Sequence, residues 1–192
     1  MKKNINSFEK IIGIKFNNQN LLLQSLTHKS NNPLNNNEKL EFLGDRVLGL
    51  IISKNLYKLF PNDKEGDLDK KLASLVNRKR CVEISNYLSL KDYVLVGDNK
   101  ENLKIENKIL ADTVESIVGA LYLDQGLEVT EKFILNYWKR FLNEKLTIYR
   151  DPKTMLQEYS LKLNKTLPIY NVIENKGPRH KPIIKVSVKI KN

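Results

Sequence analysis

The stretch Glu38-Lys39-Leu40-Glu41-Phe42-Leu43-Gly44-Asp45 decides how the chain is read. At about 100° per residue, Glu38, Glu41 and Asp45 fall within roughly a 60° arc of one helix. Leu40, Leu43, Val47 and Ile51 occupy the opposite side, about 140–220° from Glu38. One face is built for a core and the other is a strip of negative charge. Like charges three and four residues apart are mildly destabilising on an isolated helix. A divalent cation is the natural relief.

The same pattern returns around Asp112. Asp112 and Glu115 are three apart, while Leu110, Val114, Ile117 and Leu121 face away from them. Gly49 lies within about 20° of Glu38 on the first wheel, and Gly119 within about 20° of Asp112 on the second. Glycine is costly inside a helix. It serves here either to keep each acidic face clear of bulk or to let the helices pack closely. If the two helices meet, Glu41, Asp45, Asp112 and Glu115 converge. Four carboxylates on rigid helices suit a hard octahedral ion such as Mg²⁺, with water and a substrate phosphate completing the shell.

Composition narrows the class. Of 192 residues, 41% are hydrophobic and 29% charged, as in a globular protein. The net charge of +11 is uneven: Arg150 to Asn192 carry 10 Lys and Arg against 3 Asp and Glu, and the first 149 residues carry 23 against 19. A basic tail on a nearly balanced body points to a polyanion-binding appendage. The single cysteine, Cys81, excludes a disulfide framework and a cysteine-rich zinc site, and its apolar surroundings make it a core filler. No apolar segment follows the basic start and no run is long enough to span a bilayer, so the expectation is a cytoplasmic protein with no membrane partner.

In chain order, Phe8, Ile11 and Ile12 mark a first helix with Ser7 as N-cap. Leu21 to Leu26 mark a second, closed by Thr27-His28-Lys29-Ser30, with His28 a hydrogen-bonded structural residue. An Asn-rich loop leads into the helix from Glu38 to about Leu59, which Pro61 ends. Leu68, Leu72, Leu75, Val76 and Val82 mark a further helix, and a short one covers Glu83 to Leu88. Val94 to Asn102 form a loop. Strong amphipathic helices follow at Ile109–Leu121 and Phe133–Leu142. After Asp151-Pro152 the pattern changes to a helix over Thr154–Leu163 and extended runs over Leu167–Glu174 and Ile183–Lys191, joined by a turn at Asn175-Lys176-Gly177-Pro178.

Asn37 through Asp45 closely resembles the signature of the ribonuclease III endonucleases. Leu26-Thr27-His28-Lys29-Ser30, Glu65-Gly66-Asp67-Leu68, Leu75-Val76-Asn77 and Ile109-Leu110-Ala111-Asp112-Thr113-Val114-Glu115-Ser116 resemble further family motifs, in the right order. Asp151 to Glu158 and Gly177-Pro178-Arg179-His180 are similar to parts of a double-stranded-RNA-binding domain. The resemblance implies an all-α endonuclease domain over residues 1–147, a linker at 148–151 and a partial α-β-β RNA-binding domain over 152–192. It implies a Mg²⁺-dependent homodimer, with Mn²⁺ as a substitute ion, that cuts double-stranded RNA to 5′-phosphate and 3′-hydroxyl ends with short 3′ overhangs. Ribosomal RNA precursors and other structured transcripts are the implied substrates.

By motif match, Glu41, Asp45, Asp112 and Glu115 are the metal set, with Asp45 and Glu115 catalytic. Glu38 and Glu65 are supporting acids near the dimer valley, and Phe42 is an aromatic that enters the partner subunit. Gln157, Glu158, Arg179, His180 and Lys181 are the expected RNA contacts, with Lys153, Lys162 and Lys165 adding salt-sensitive affinity. Two residues depart from the pattern: Lys39 stands where arginine is usual, and Arg46 where a small residue is. Arg46 is expected to pair with a carboxylate or touch RNA. The domain's third strand and second helix have no counterpart here, so half the sheet's cover is missing and residues 152–192 are expected to be loosely folded. A non-catalytic RNA-binding protein and a ribosome-associated structural protein are the competing readings of the same fold.

Overall fold

The computed structural model describes residues 5–97, 106–143, 152–178 and 182–190. The chain divides into two compact units, residues 1–146 and 147–192. The expected linker at 148–151 lies outside the described residues.

The first unit is helical. Its described elements are α1 (Ile5–Ile12), α2 (Gln19–Ser25), α3 (Glu38–Leu59), α4 (Glu65–Leu75), α5 (Arg78–Tyr87), a 3-10 turn at Leu90–Asp92, and α6 (Asn107–Asn143). The core gathers Phe8, Leu22, Leu48, Ile52, Leu75, Ile84, Ile117, Leu121, Ile134 and Trp138. Trp138 Nε1 donates to the Leu75 carbonyl at 3.0 Å, so the largest core side chain also satisfies its one polar atom.

One helix boundary differs from the periodicity. The single helix expected through Val82 is broken at Val76-Asn77, because the Asn77 side chain caps α5 by accepting from the Arg80 N–H at 3.1 Å. The two helices expected around Ile109 and Phe133 are both present, meeting within Asn107–Asn143 at a kink at Gly126, whose φ of 78° and ψ of −174° are non-helical. Only glycine adopts that conformation cheaply, so the break falls there.

The helix α3 packs along α6, and this crossing fixes the geometry of the unit. A Cβ on Gly44 would stand 1.7 Å from the Glu115 carbonyl oxygen, and one on Gly119 would stand 2.2 Å from the Leu40 carbonyl oxygen. The backbones touch at this pair. Gly119 therefore serves close packing, and its partner is Gly44. Gly49 faces open space, with nothing within 4 Å of an added Cβ. Wheel position alone did not separate these cases, because it shows a face and not what packs on it.

The second unit holds α7 (Pro152–Asn164), β1 (Ile169–Lys176) and β2 (Ile183–Lys189). The strands pair antiparallel from Ile169↔Lys189 to Lys176↔Ile183, with an irregularity between Val172 and Glu174. The expected loosely folded tail thus has definite secondary structure over its described residues. Val172, Ile173, Ile183, Ile184, Val186 and Val188 nevertheless remain exposed, as a sheet with little cover requires.

Candidate metal centre and its relatives

Because α3 and α6 cross at glycines, side chains one turn away from the crossing are drawn together. Glu41 of α3 and Asp112 and Glu115 of α6 each offer a carboxylate oxygen, and the three lie within 4.8 Å of one another. They line a cleft of about 350 Å³ together with Phe42, Asp45, Arg46, Arg78, Lys108 and Ala111.

The electrostatics are those of crowded, partly buried carboxylates. Burial pushes the Glu115 carboxyl up to about 7, and the charges of Asp45, Glu41 and Asp112 add to that. Burial and Asp112 raise Glu41 in the same direction. Burial also raises Asp112, opposed by Lys108 and Arg78. All three donors are hard oxygens, partly buried, on two braced helices. That donor set fits an octahedral divalent cation.

Asp45, the fourth expected member, lines the cleft but stands apart from the trio. Its carboxylate accepts from Arg46 Nη1 at 2.9 Å. The same guanidinium stacks 4.2 Å from the centre of the Phe42 ring and donates to the Phe42 carbonyl at 3.2 Å. Of the two expectations for Arg46, the carboxylate pair is the one formed.

The remaining predicted residues are spread out. Glu38 accepts from Lys29 Nζ at 2.7 Å, which holds its carboxyl below the ordinary range. Glu65, at the start of α4, is exposed and borders a separate groove with Leu50, Tyr57, Leu68 and Leu72. Phe42 is 63% exposed. His28 Nδ1 meets Ser30 Oγ at 2.8 Å, the structural role expected of it. Gln157 and Glu158 lie on α7, half-buried and exposed respectively, while Arg179, His180 and Lys181 lie outside the described residues.

Three neighbours of the site were missed from sequence. Cys81 is buried as a core filler should be, yet its Sγ also lies 3.8 Å from Glu115 Oε1, and burial and that carboxylate hold the thiol above its ordinary range. Arg78 and Lys108 line the cleft. Lys108 was findable, since it precedes Asp112 by one helical turn.

Residues 18–141 match the family model described as Ribonuclease-III-like, and residues 152–192 match the double-stranded RNA binding motif. The chain belongs to the ribonuclease III family. It is 55% identical over 193 residues to Ribonuclease 3 of Pelagibacter ubique, covering all of this chain and 87% of that one. It is 40% identical to Ribonuclease 3 of Bartonella henselae, over 97% of this chain and 81% of that one. Among solved structures, the nuclease domain of ribonuclease III from Campylobacter jejuni superposes with a TM-score of 0.69 at 40% identity, covering 74% of this chain and 98% of that domain. A second structure of that domain, at 41% identity, 71% and 97% coverage and the same TM-score of 0.69, concerns flexibility in its dimer-forming region. Dicer from Pichia stipitis shares the fold, with a TM-score of 0.55 at 22% identity over 93% of this chain and 83% of that one.

No helix among the described residues is long and apolar enough to cross a membrane.

Proposed function

We propose that the protein is a Mg²⁺-dependent cytoplasmic endonuclease that hydrolyses both strands of double-stranded RNA and works as a homodimer. The products are 5′-phosphate and 3′-hydroxyl ends with short 3′ overhangs, and the substrates are ribosomal RNA precursors and other structured transcripts. One observation carries the reading: Glu41, Asp112 and Glu115 converge from two helices in a chain that also bears a double-stranded RNA binding motif.

The carboxylates of Glu41, Asp112 and Glu115 would hold the cation, with Asp45 joining them once released from Arg46. A divalent ion there supplies positive charge against the phosphodiester and lowers the pKa of water. The chain's own part is to fix its ligands on two helices braced by the Gly44–Gly119 backbone contact. A-form RNA is recognised through shape, phosphates and 2′-hydroxyls. Gln157 and Glu158 on α7, with Arg179, His180 and Lys181, are the contacts we assign to that task. The units on either side of residues 148–151 divide the labour into cutting and holding.

The outward stripe of α3 supports the dimer. Phe42, Leu50 and Tyr57 lie within about 80° of one another on the wheel and are 63%, 60% and 75% exposed. Apolar surface at that density marks an interaction face. Phe42 is the residue we expect to enter the partner, and Glu38 and Glu65 the acids that flank the shared valley.

The test is cleavage of a perfect RNA duplex with and without Mg²⁺. Metal-dependent product ends as described support the reading, and binding without cleavage in Mg²⁺ sinks it.

A further inference from the structure

Two of the cations lining the cleft have no local reason to be there. Arg78 is the first residue of α5, and Lys108 is the second of α6. A helix N-terminus carries positive partial charge, so a cation there is unfavourable, and acids are the residues that stabilise it. Neither helix has an acid in its first turn. Both cations are exposed, and among the described residues neither forms an ion pair with a carboxylate. The other cations near this edge are committed: Arg46 to Asp45 and Phe42, Lys29 to Glu38.

Both nonetheless border the same cleft as Glu41, Asp112 and Glu115, and both act electrostatically on Asp112. Neutralising the carboxylates explains them only while no metal is bound. Once a divalent cation occupies the trio, two unpaired cations at its edge repel it and are left in surplus. An anion arriving from solvent relieves that surplus.

We propose that Arg78 and Lys108 form a phosphate clamp that takes the non-bridging oxygens of an RNA backbone phosphate and holds it against the Glu41–Asp112–Glu115 trio. Arg78 offers a planar fork suited to two phosphate oxygens, and Lys108 offers a point charge from the opposite helix. The two residues position the substrate and take no part in proton transfer. The clamp rests on the reading of this cleft as the hydrolytic site, and it adds two specific contacts to it.

The experiment uses the full chain, a perfect RNA duplex and the variants Arg78→Gln, Lys108→Gln and the double. Duplex affinity is measured in EDTA across a salt series, so that no metal and no cleavage enter. Each variant should weaken binding by roughly threefold to tenfold at 0.15 M salt and flatten the slope of log affinity against log salt by about one for each phosphate charge no longer neutralised. In Mg²⁺, single-turnover cleavage should fall while half-saturation by Mg²⁺ stays put or shifts to lower concentration, because a competing charge has gone. Lys108→Arg and Arg78→Lys should restore most of the affinity. Unchanged slopes and affinities in EDTA would overturn the clamp. So would charge-keeping variants that fail to restore binding, since the effect would then lie in packing. A wild-type chain that binds duplex but never cleaves it overturns the nuclease reading, while the salt slopes still decide the clamp.

Discussion

Glu115 is the residue whose surroundings say most. Burial, with the charges of Asp45, Glu41 and Asp112 adding to it, pushes its carboxyl up to about 7 from an ordinary 4.5. Between those two values the folded metal-free protein binds more protons than the unfolded chain, so its stability falls as pH rises through that window. The metal-free protein should therefore melt lower at pH 8 than at pH 5.5, and Glu115→Gln should remove much of the difference, about 1–3 kcal/mol. Mg²⁺ should raise the melting temperature of the wild type at pH 8 and leave the variant nearly unmoved. Because binding must displace that proton, Mg²⁺ affinity should rise about tenfold from pH 6 to pH 8. Thermal melts and calorimetric titrations check both statements. Arg46 is the other informative residue. Arg46→Ala should cost at most about 1 kcal/mol of stability, since the pair is exposed, yet free Asp45 for the metal and tighten Mg²⁺ binding. Looser Mg²⁺ binding would count against Asp45 as a ligand.

At the scale of elements, the crossing of α3 and α6 is the feature everything depends on. Gly44→Ala forces a methyl group into the Glu115 carbonyl and should cost about 3 kcal/mol or more while spreading the carboxylates apart. Gly49→Ala meets open space inside a helix and should instead gain about 0.5–1 kcal/mol. Denaturant unfolding of the two variants separates them cleanly. The helices themselves were legible in the sequence, since Leu40, Val47, Ile51, Val114, Ile117 and Leu121 all sit in the core where periodicity put them. The role of Gly44 was not, because a glycine between Leu43 and Asp45 carries no periodic signal of its own. Nor was the break at Val76-Asn77, where one side-chain cap outweighs an apolar pattern that runs on through Val82. The trio at the site was legible as residue types. That Asp45 turns to Arg46 was not, because it depends on the rotamers of two exposed neighbours.

At the scale of the molecule, a helical unit with a carboxylate cluster and a basic α-β-β unit share one chain, and the proposed function assigns cutting to the first and holding to the second. In the proposed homodimer, the outward apolar stripe of α3 meets the second copy. Phe42→Ala should shift the dimer toward monomer by sedimentation at micromolar concentration and lower cleavage, with each subunit's fold intact by circular dichroism. An unchanged oligomeric state would remove Phe42 from the interface. Central to the proposed function is the assignment of Glu41, Asp112 and Glu115 as joint ligands of a divalent cation. The most direct test is Mn²⁺ binding to the RNA-free chain at pH 8, followed by electron paramagnetic resonance. Saturable binding by the wild type and its loss in a folded Glu115→Gln variant are the expected result. Equal binding by the two proteins would contradict it.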